Sequence, residues 1–327
     1  MTLQGDVAWG IVSTAHINRL LIPPARESDR VDLIAVASRD AARAQEYAQA
    51  WGIDRAYGSY EALLADPDVE AVYISVPNSL HCEWSIRALE AGKHVLCEKP
   101  LSRRAADVEA AFAAAERANR LLMEGFMYRH NPQTRRLQEL VGGGAIGRLR
   151  LIRAAFSFTA RGADNIRLLP EVDGGALMDV GCYCVSSFRL LAGEPERVSA
   201  EQVTGASGVD LVFAGTLAFP DGVIAQFDSG LALPERDELE VIGEKGSIFL
   251  DDPWHCRVPV IELRRDGDLE RIELDLEDSY RLELENLSAA IRMESEPLLG
   301  RDDAVGNARA IEALYASAER CVPVELS

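Results

Sequence analysis

The sequence lacks any apolar run approaching the roughly 18–20 residues needed to span a bilayer. Its start also lacks a basic stretch followed by an apolar run, so we expect no secretory signal and a cytoplasmic protein. Basic residues are few, with 34 Lys plus Arg against 53 Asp plus Glu, a formal charge of −19. Such a surface repels phosphate backbones and anionic headgroups, so we predict neither a nucleic-acid nor a membrane partner.

Metal-binding cysteine patterns are also missing. None of the six cysteines forms a CxxC pair, and no histidine stands near them at zinc-ligand spacing. We therefore expect buried free thiols and no metal site. With 327 residues, 48% of them hydrophobic and 27% charged, the chain has enough apolar material for two cores.

Strand-like and helix-like segments alternate over the first 125 residues, which predicts an α/β Rossmann domain with a doubly wound parallel sheet over residues 1–125. Residues 126–327 have many strand-like segments and tight-turn signals such as Pro220-Asp221-Gly222. They predict a C-terminal α+β domain with a large, mostly antiparallel open sheet. We expect its closing helix, Asp303–Arg320, to pack back on the first domain. Because the outer face of an open sheet needs cover, we also expect a homodimer or homotetramer through apolar strands there.

A dinucleotide turn is predicted after the first strand. Small residues replace the later glycines of a Gly-rich fingerprint, in the order Gly10, Ser13, Thr14, Ala15. They would let the backbone approach a diphosphate, and the following helix would supply free N–H groups. An ordinary helix cap is the alternative at this turn.

The end of the second strand distinguishes the two nicotinamide cofactors. An acidic residue there would accept hydrogen bonds from the ribose of NAD. This chain has Ser38 and Arg39, with Arg43 one turn into the next helix. A guanidinium pairs well with a 2′-phosphate, whereas Asp40 is more simply a residue of the helix's first turn. We therefore predict NADP(H) in preference to NAD(H).

Two further segments carry candidate catalytic groups. Lys99 and Pro100 follow the fifth strand, at the sheet edge where ligands bind in open α/β sheets. Asp179 and Tyr183 are four residues apart, so a helix would place the carboxylate and the phenol on one face. A solvated turn lysine, a helix-stabilising aspartate and a core tyrosine are the alternatives without chemistry.

Several motifs together resemble the glucose–fructose oxidoreductase, inositol dehydrogenase and rhizopine-catabolism (Gfo/Idh/MocA) family. The resemblance spans nearly the whole chain. It includes Trp9-Gly10-Ile11, the run Ser75–His81, the run Gly92–Pro100 with its Glu-Lys-Pro, the run Phe126–Pro132 and the run Gly174–Cys184. Tyr183, where many members have histidine, resembles the branch of glucose–fructose oxidoreductase, NADP-dependent D-xylose 1-dehydrogenase and dimeric dihydrodiol dehydrogenase. Ser13 and Val172-Asp173 depart from the family pattern, and the latter leaves substrate specificity open.

The resemblance implies a role for each motif residue. Tyr183 would be the acid/base, with its pKa lowered by the Lys99 ammonium, and Lys99 would bind the same substrate oxygen. Asp179 would hold a neighbouring hydroxyl group. Other expected cofactor contacts are Pro77, Asn78, His81, Glu98 and Lys99. Further expected sugar contacts are Tyr128, Asn165 and Arg167, for which a surface or structural role is equally open.

The resemblance implies an enzyme that transfers a hydride between NADP(H) and a sugar or polyol. An aldose (pyranose) 1-dehydrogenase is the leading prediction. A reductase of keto-sugars of the 1,5-anhydrofructose type and a trans-dihydrodiol dehydrogenase remain open, because all three would use the same residues. A non-catalytic NADP-sensing regulator is the alternative from another class, although a sensor would need neither Lys99 nor Tyr183.

Overall fold

The computed structural model describes residues 5–162 and 164–326, which form two compact units. The first unit comprises Met1–Ser102, Ala106–Met127 and Asp278–Val305. The second comprises Arg103–Ala105, Tyr128–Glu277 and Gly306–Ser327. Each unit is thus assembled from segments that are distant in the sequence. The domain boundary that the sequence predicts, between residues 125 and 126, stays a prediction.

The closing helix, predicted over Asp303–Arg320, begins two residues earlier in the structure, at Arg301. One π-helical turn, Leu177–Gly181, directly precedes α7. Among the described helices, none combines the length and the apolar character needed to cross a bilayer. The helices are α1 (Asn18–Arg26), α2 (Ala41–Trp51), α3 (Tyr60–Leu64), α4 (His81–Glu90), α5 (Ala105–Ala118), α6 (Pro132–Gly142), α7 (Cys182–Ala192), α8 (Ser279–Ile291) and α9 (Arg301–Arg320).

The first unit contains a parallel sheet whose strands are β1 (Val7–Val12), β2 (Val31–Ala37), β3 (Arg55–Tyr57), β4 (Ala71–Ile74), β5 (His94–Glu98) and β6 (Leu122–Gly125). Their order is β3-β2-β1-β4-β5-β6, and every neighbouring pair is parallel. All residues of β4 and β6 are buried, as expected when helices cover both faces. The predicted Rossmann sheet is confirmed. Its strand order reverses between β1 and β4, and ligands bind beyond the carboxyl ends at such a point.

Helix α8 returns the chain to this unit after a long excursion, and it packs against α1, β2 and β5. The Trp9 indole N–H donates to Ser288 Oγ at 3.1 Å. Arg292, just after α8, donates to both carboxylate oxygens of Glu70 at 2.8 Å. The sequence predicts that the closing helix, α9, packs back on the first domain. In the structure α8 and the first turn of α9 belong to the first unit, and the rest of α9 belongs to the second.

The second unit contains a mixed sheet with the order β14-β13-β12-β11-β7-β10-β9-β8-β15. Neighbouring strands are antiparallel except for the parallel pair β7 and β10, so the predicted, mostly antiparallel sheet is confirmed. The strands are β7 (Leu149–Thr159), β8 (Arg197–Thr204), β9 (Asp210–Ala218), β10 (Ile224–Gly230), β11 (Ala232–Gly243), β12 (Gly246–Asp251), β13 (Val260–Arg265), β14 (Asp268–Glu273) and β15 (Val324–Glu325).

The two faces of this sheet differ in burial. Buried Ile152, Phe213 and Val241 line one face of their strands. On the other face Arg153, Gln226 and Glu240 are register neighbours on three adjacent strands, and none of them is buried. The next register row on this face, Leu151, Ile224 and Ile242, is apolar and not buried, so the expected oligomer contact through apolar strands stays a prediction. The oligomeric state itself stays a prediction.

Candidate active site

The turn after β1 is shaped by small residues at two different places. Gly10 lies inside β1, where an added Cβ would come within 2.9 Å of Leu63 and 3.2 Å of Val69. The structure thus gives this glycine a packing reason, and its predicted cofactor contact stays a prediction. Ser13 follows the strand with φ 119°, in a region that favours glycine. Ser13 therefore adopts a backbone conformation for which the Gly-rich fingerprint uses a glycine.

A hydrogen-bond network holds this turn. Ser13 Oγ lies 2.9 Å from Ser75 Oγ and accepts the Ala15 N–H at 3.2 Å. The buried Asn18 donates to the Ser13 carbonyl at 3.0 Å and accepts from Ser75 Oγ at 2.7 Å. Within the described residues, no side chain caps the N-terminus of α1. An uncapped helix N-terminus behind a turn of Ser13, Thr14 and Ala15 fits the diphosphate of a dinucleotide.

Two arginines lie beside the end of β2. Ser38 is buried, whereas Arg39 and Arg43 are exposed. The Arg43 guanidinium reaches the Thr14 carbonyl of the β1 turn at 3.5 Å. Asp40 caps α2 by accepting the Arg43 backbone N–H at 2.7 Å, so its carboxylate is already engaged. These groups fit a phosphate on the adenosine ribose better than a free diol.

The loop after β4 requires one correction. Pro77 and Asn78 are partly exposed and open a short 3₁₀ turn. His81, predicted to contact the cofactor, is instead only 1% exposed. Its Nδ1 lies 2.8 Å from the Pro100 carbonyl oxygen and its Nε2 lies 2.8 Å from that of Val76. Burial lowers the pKa of His81 to about 4. The ring therefore joins two loops and is not available to a cofactor.

The Glu-Lys-Pro segment ends β5. Glu98 is buried and accepts the Tyr73 hydroxyl at 2.5 Å. Lys99 is half-buried, and its peptide bond to Pro100 is cis. Burial and the Glu98 charge raise the pKa of Glu283, a fully buried carboxyl group on α8. Glu98 thus faces the protein interior, which argues for support of the Lys99 loop rather than the predicted cofactor contact.

In the second unit an aromatic cluster surrounds Tyr183. The ring centroid of Tyr183 lies 5.4 Å from Phe156, 5.8 Å from Tyr128 and 6.0 Å from Trp254. Tyr183 itself is 6% exposed, on the first turn of α7. Tyr128 is 2% exposed and donates to Ser186 Oγ at 2.8 Å. Its predicted sugar contact is therefore replaced by a supporting role.

Phe156 and Trp254 were not predicted as site residues. They come from β7 and from the loop after β12, so their sequence positions gave no sign that they meet Tyr183. Trp254 is fully buried and packs edge-on against Tyr128 at 5.5 Å. Together these rings form an apolar wall that fixes the direction of the Tyr183 phenol.

Asp179, Asn165 and Arg167 are connected to one another. Arg167 Nε donates to Asp179 Oδ2 at 2.7 Å, forming a partly exposed ion pair. The Asn165 side chain accepts the Arg167 backbone N–H at 3.2 Å and caps a 3₁₀ turn. A carboxylate held by a guanidinium can still accept a sugar hydroxyl, because it has several lone-pair directions. Asp179 is thus paired with Arg167, and its expected contact with the substrate would be made in addition to this ion pair.

Asp210, another residue that was not predicted, contacts the start of the segment that contains Asp179 and Tyr183. Its carboxylate accepts the Leu177 N–H at 2.7 Å and the Tyr315 hydroxyl at 3.0 Å. Gly175 has φ 129°, and an added Cβ would lie within 3.0 Å of the Asp210 carboxyl carbon. The close approach of Asp210 explains the second glycine of the Gly174-Gly175 pair. Nothing in the local sequence links residue 210 to residue 175.

One cluster has the composition of a metal site. Ligand atoms of Asp237, Asp252 and His255 lie within 4.8 Å of one another. His255 Nδ1 is 2.7 Å from Asp237 Oδ2, and Arg257 Nε donates to Asp252 Oδ2 at 2.7 Å. Burial opposes a charge on His255, but hydrogen bonds to the two carboxylates raise its pKa to about 9. The group is thus an ion-pair network, and the absence of a metal site stays a prediction.

Comparison with known families decides the class. The model of the oxidoreductase family with an NAD-binding Rossmann fold (GFO/IDH/MocA) matches residues 7–126, and that of the GFO/IDH/MocA C-terminal domain matches residues 134–249. The chain belongs to the GFO/IDH/MocA family. The resemblance stated from the motifs is confirmed, and with it the prediction of an oxidoreductase.

Three individual GFO/IDH/MocA-type proteins illustrate the similarity. A D-xylose 1-dehydrogenase (NADP(+)) from Haloferax volcanii is 41% identical, over 97% of this chain and 99% of that protein. A trans-1,2-dihydrobenzene-1,2-diol dehydrogenase from Oryctolagus cuniculus is 36% identical, over 78% of this chain and 77% of that protein. The crystal structure of an aldose-aldose oxidoreductase from Caulobacter crescentus, complexed with glycerol, superposes with a TM-score of 0.92 at 31% identity, covering 98% and 100% of the two chains.

Proposed function

We propose that this GFO/IDH/MocA protein is an NADP-dependent sugar oxidoreductase, and specifically an aldose (pyranose) 1-dehydrogenase that converts an anomeric hydroxyl to a lactone. The observation that carries this proposal is the 41% identity, over nearly the full length of both chains, with a D-xylose 1-dehydrogenase that uses NADP(+). Residues 1–125 would bind the cofactor and residues 126–327 the sugar. The cytoplasmic location and a homodimer or homotetramer stay predictions.

The cofactor preference would come from the end of β2. Arg39 and Arg43 would pair with the 2′-phosphate, Ser38 would donate a hydrogen bond to it, and Ser13, Thr14 and Ala15 would face the diphosphate. The engaged carboxylate of Asp40 supports this assignment, because no ribose-binding acid is left at that position. Burial raises the pKa of Tyr60 while the charges of Arg39 and Arg43 oppose it, so both guanidinium groups lie near one side chain.

Titration of the purified protein with NADPH and NADH tests the preference. The Arg39→Ala variant should lose about 10–100-fold in NADPH affinity, the size expected for a charge-assisted hydrogen-bond pair. Its NADH affinity should change little, because NADH has no 2′-phosphate. Arg136→Ala, which removes an exposed arginine of α6, is the control. Equal wild-type affinities for the two cofactors would refute the assignment.

The chemistry would need one proton carrier and one cation. Bound NADP⁺ would accept the hydride from the sugar carbon. Tyr183 would take the hydroxyl proton, and the Lys99 ammonium would stabilise the negative charge that develops on the oxygen. The aromatic wall of Phe156 and Trp254 would hold the phenol and exclude water. Asp179, oriented by Arg167, would accept a hydrogen bond from a neighbouring sugar hydroxyl.

The Tyr183→Phe variant tests the acid/base role, because it keeps the ring and removes only the hydroxyl group. Turnover should fall by roughly 10²–10⁴ while the cofactor dissociation constant stays within about twofold. Tyr57→Phe, a tyrosine of the Rossmann sheet whose hydroxyl donates to Asp66, is the control. Unchanged turnover in Tyr183→Phe would remove the assigned role.

A substrate panel decides among the activities that the same residues could support. Aldoses, polyols, keto-sugars and dihydrodiols would be mixed with the oxidised or reduced cofactor, and the absorbance of the reduced form followed. The similarity to a dihydrodiol dehydrogenase keeps the dihydrodiol among the candidates beside the keto-sugar. Cofactor binding without turnover of any compound would instead favour the NADP-sensing regulator.

A further inference from the structure

We propose that Asp210 is a positioning residue that anchors the segment carrying Asp179 and Tyr183. The proposal rests on the proposed function for the role of Tyr183, but its geometry lies wholly within the second unit. Asp210 begins β9, is 4% exposed and is separated from Tyr183 in the sequence by the rest of α7 and by β8. Its carboxylate nevertheless lies at the first residue of the π-helical turn.

The contacts of Asp210 hold one end of that turn. Oδ2 accepts the N–H of Leu177, where the π-helical turn begins, at 2.7 Å. Oδ1 accepts the hydroxyl of Tyr315, on α9, at 3.0 Å. The carboxylate thus ties the turn to both a strand and a helix. A carboxylate at the first N–H groups of a helical segment also interacts favourably with the aligned peptide dipoles.

The backbone before the turn is fitted to this carboxylate. Gly175 packs so closely on Asp210 that a side chain there would displace the carboxylate. Gly174 would in turn place a Cβ 2.5 Å from the Arg167 carbonyl oxygen, and the Gly175 N–H donates to the same carbonyl at 2.9 Å. Arg167 is the residue that pairs with Asp179. The Gly-Gly pair therefore aligns the ion pair and the anchored turn together.

A π-helical turn needs such an anchor. Its wider hydrogen-bond ring is rare and less favourable than an α-helical turn, and π-turns occur often at functional sites. Here the turn contains Asp179 and leads directly into Tyr183. Releasing Leu177 would free the N-terminal end of the turn, and small displacements of reacting groups reduce turnover strongly. Asp210 would act through Leu177 and would not touch the substrate.

The charge of Asp210 provides an additional readout. Burial raises its pKa to about 6, while the Leu177 N–H, the Tyr315 hydroxyl and the Arg103 charge act in the opposite direction. Arg103 lies 4.2 Å from the centroid of the Tyr315 ring and 3.7 Å from Asp173, the other acid of this cluster. Protonation of Asp210 would weaken a charge-assisted hydrogen bond to Leu177. Turnover should therefore decrease as the pH falls through about 6.

Three variants test the proposal by two measurements on the full-length protein. Asp210→Ala removes both acceptors, Asp210→Asn keeps the shape without the charge, and Asp221→Ala removes an exposed aspartate of the same unit as a control. The first measurement is hydrogen exchange of the Leu177 amide, which needs no substrate. The second is the pH profile of kcat and KM with the best sugar of the panel and NADP⁺.

In Asp210→Ala the Leu177 amide should exchange faster, and kcat should fall about 10–100-fold with the cofactor KM within about twofold. Asp210→Asn should restore only part of both, to about the level that the wild type reaches below pH 6, and lose the acidic limb of the kcat profile. Unchanged exchange in Asp210→Ala would overturn the proposal, as would restored exchange without restored turnover in Asp210→Asn. If Asp210→Ala does not fold, an acidic limb that is unaltered in Asp210→Asn decides against it. If the wild type turns over no sugar, the proposed function fails, and hydrogen exchange alone still decides whether Asp210 anchors the turn.

Discussion

Replacing Gly175 by alanine should destabilise the second unit by an amount that the geometry allows us to estimate. Two effects add at this position. The backbone has φ 129°, which an L-residue adopts with strain. The new Cβ would also overlap the Asp210 carboxylate, whose carboxyl carbon lies 3.0 Å away, and approach the Tyr315 hydroxyl oxygen at 3.2 Å. Neither neighbour can retreat easily, because both are buried and hydrogen-bonded to each other.

The two effects have different causes and can be separated. Holding a non-glycine residue in such a backbone conformation costs about 1–3 kcal/mol. Forcing a methyl group into a packed site costs about 1–3 kcal/mol more. Gly175→Ala should therefore lower the free energy of unfolding by about 2–6 kcal/mol. Gly208→Ala is the matched control, since Gly208 has φ 98° in the same unit but no atom within 4 Å of an added Cβ. It should show the strain alone.

Urea unfolding of the wild type, both single variants and Gly175→Ala in an Asp210→Ala background measures each contribution. Without the carboxylate, the penalty for Gly175→Ala should fall towards that for Gly208→Ala, with the Tyr315 hydroxyl as the remaining close neighbour. If Gly175→Ala and Gly208→Ala destabilise equally, the overlap with Asp210 is not the reason for the glycine. The same result would remove one support for the anchoring role of Asp210.

Two further variants test the buried titratable groups. The His255→Gln variant should be less stable than the wild type below pH 6.5, and this difference should be lost as the pH rises through about 9. The reason is that Asp237 and Asp252 raise the pKa of His255 against the effect of burial. Thermal unfolding across this pH range measures the difference, and a difference that does not change with pH would contradict the prediction. Glu283→Gln should be more stable than the wild type at neutral pH, because burial and the Glu98 charge raise the pKa of Glu283 and the ionised form opposes folding. That gain should shrink towards pH 4.5 in the same thermal measurements, and a gain independent of pH would show that the Glu283 charge is not its cause.

The sequence was sufficient for the features that depend on local periodicity. The strands of the Rossmann sheet are short apolar runs between helices, so alternation alone predicts their order of appearance and their parallel pairing. The place of the Glu-Lys-Pro segment at the end of a buried strand is predictable for a related reason. The turn around Ser13 could be located, but the packing of Leu63 and Val69 against Gly10 could not.

Contacts between distant segments could not be predicted. The wall around Tyr183 joins residues from β7, α7 and the loop after β12, and the anchor of its segment comes from β9. No periodicity within one segment reports which side chain of another will face it. His81 shows the same limit, because a histidine at the start of a helix is compatible with a ligand contact and with burial. Its two carbonyl partners, from Val76 and Pro100, decide for burial.

The return of α8 to the first unit has a consequence for synthesis on the ribosome. The Rossmann strands are complete by Gly125, but α8, which covers Trp9 and binds Glu70 through Arg292, is translated only after the whole large sheet of the second unit. The first unit therefore exposes an apolar surface while some 150 residues of the second unit are synthesised. A fragment that ends at residue 127 would lack α8, so this surface would remain exposed.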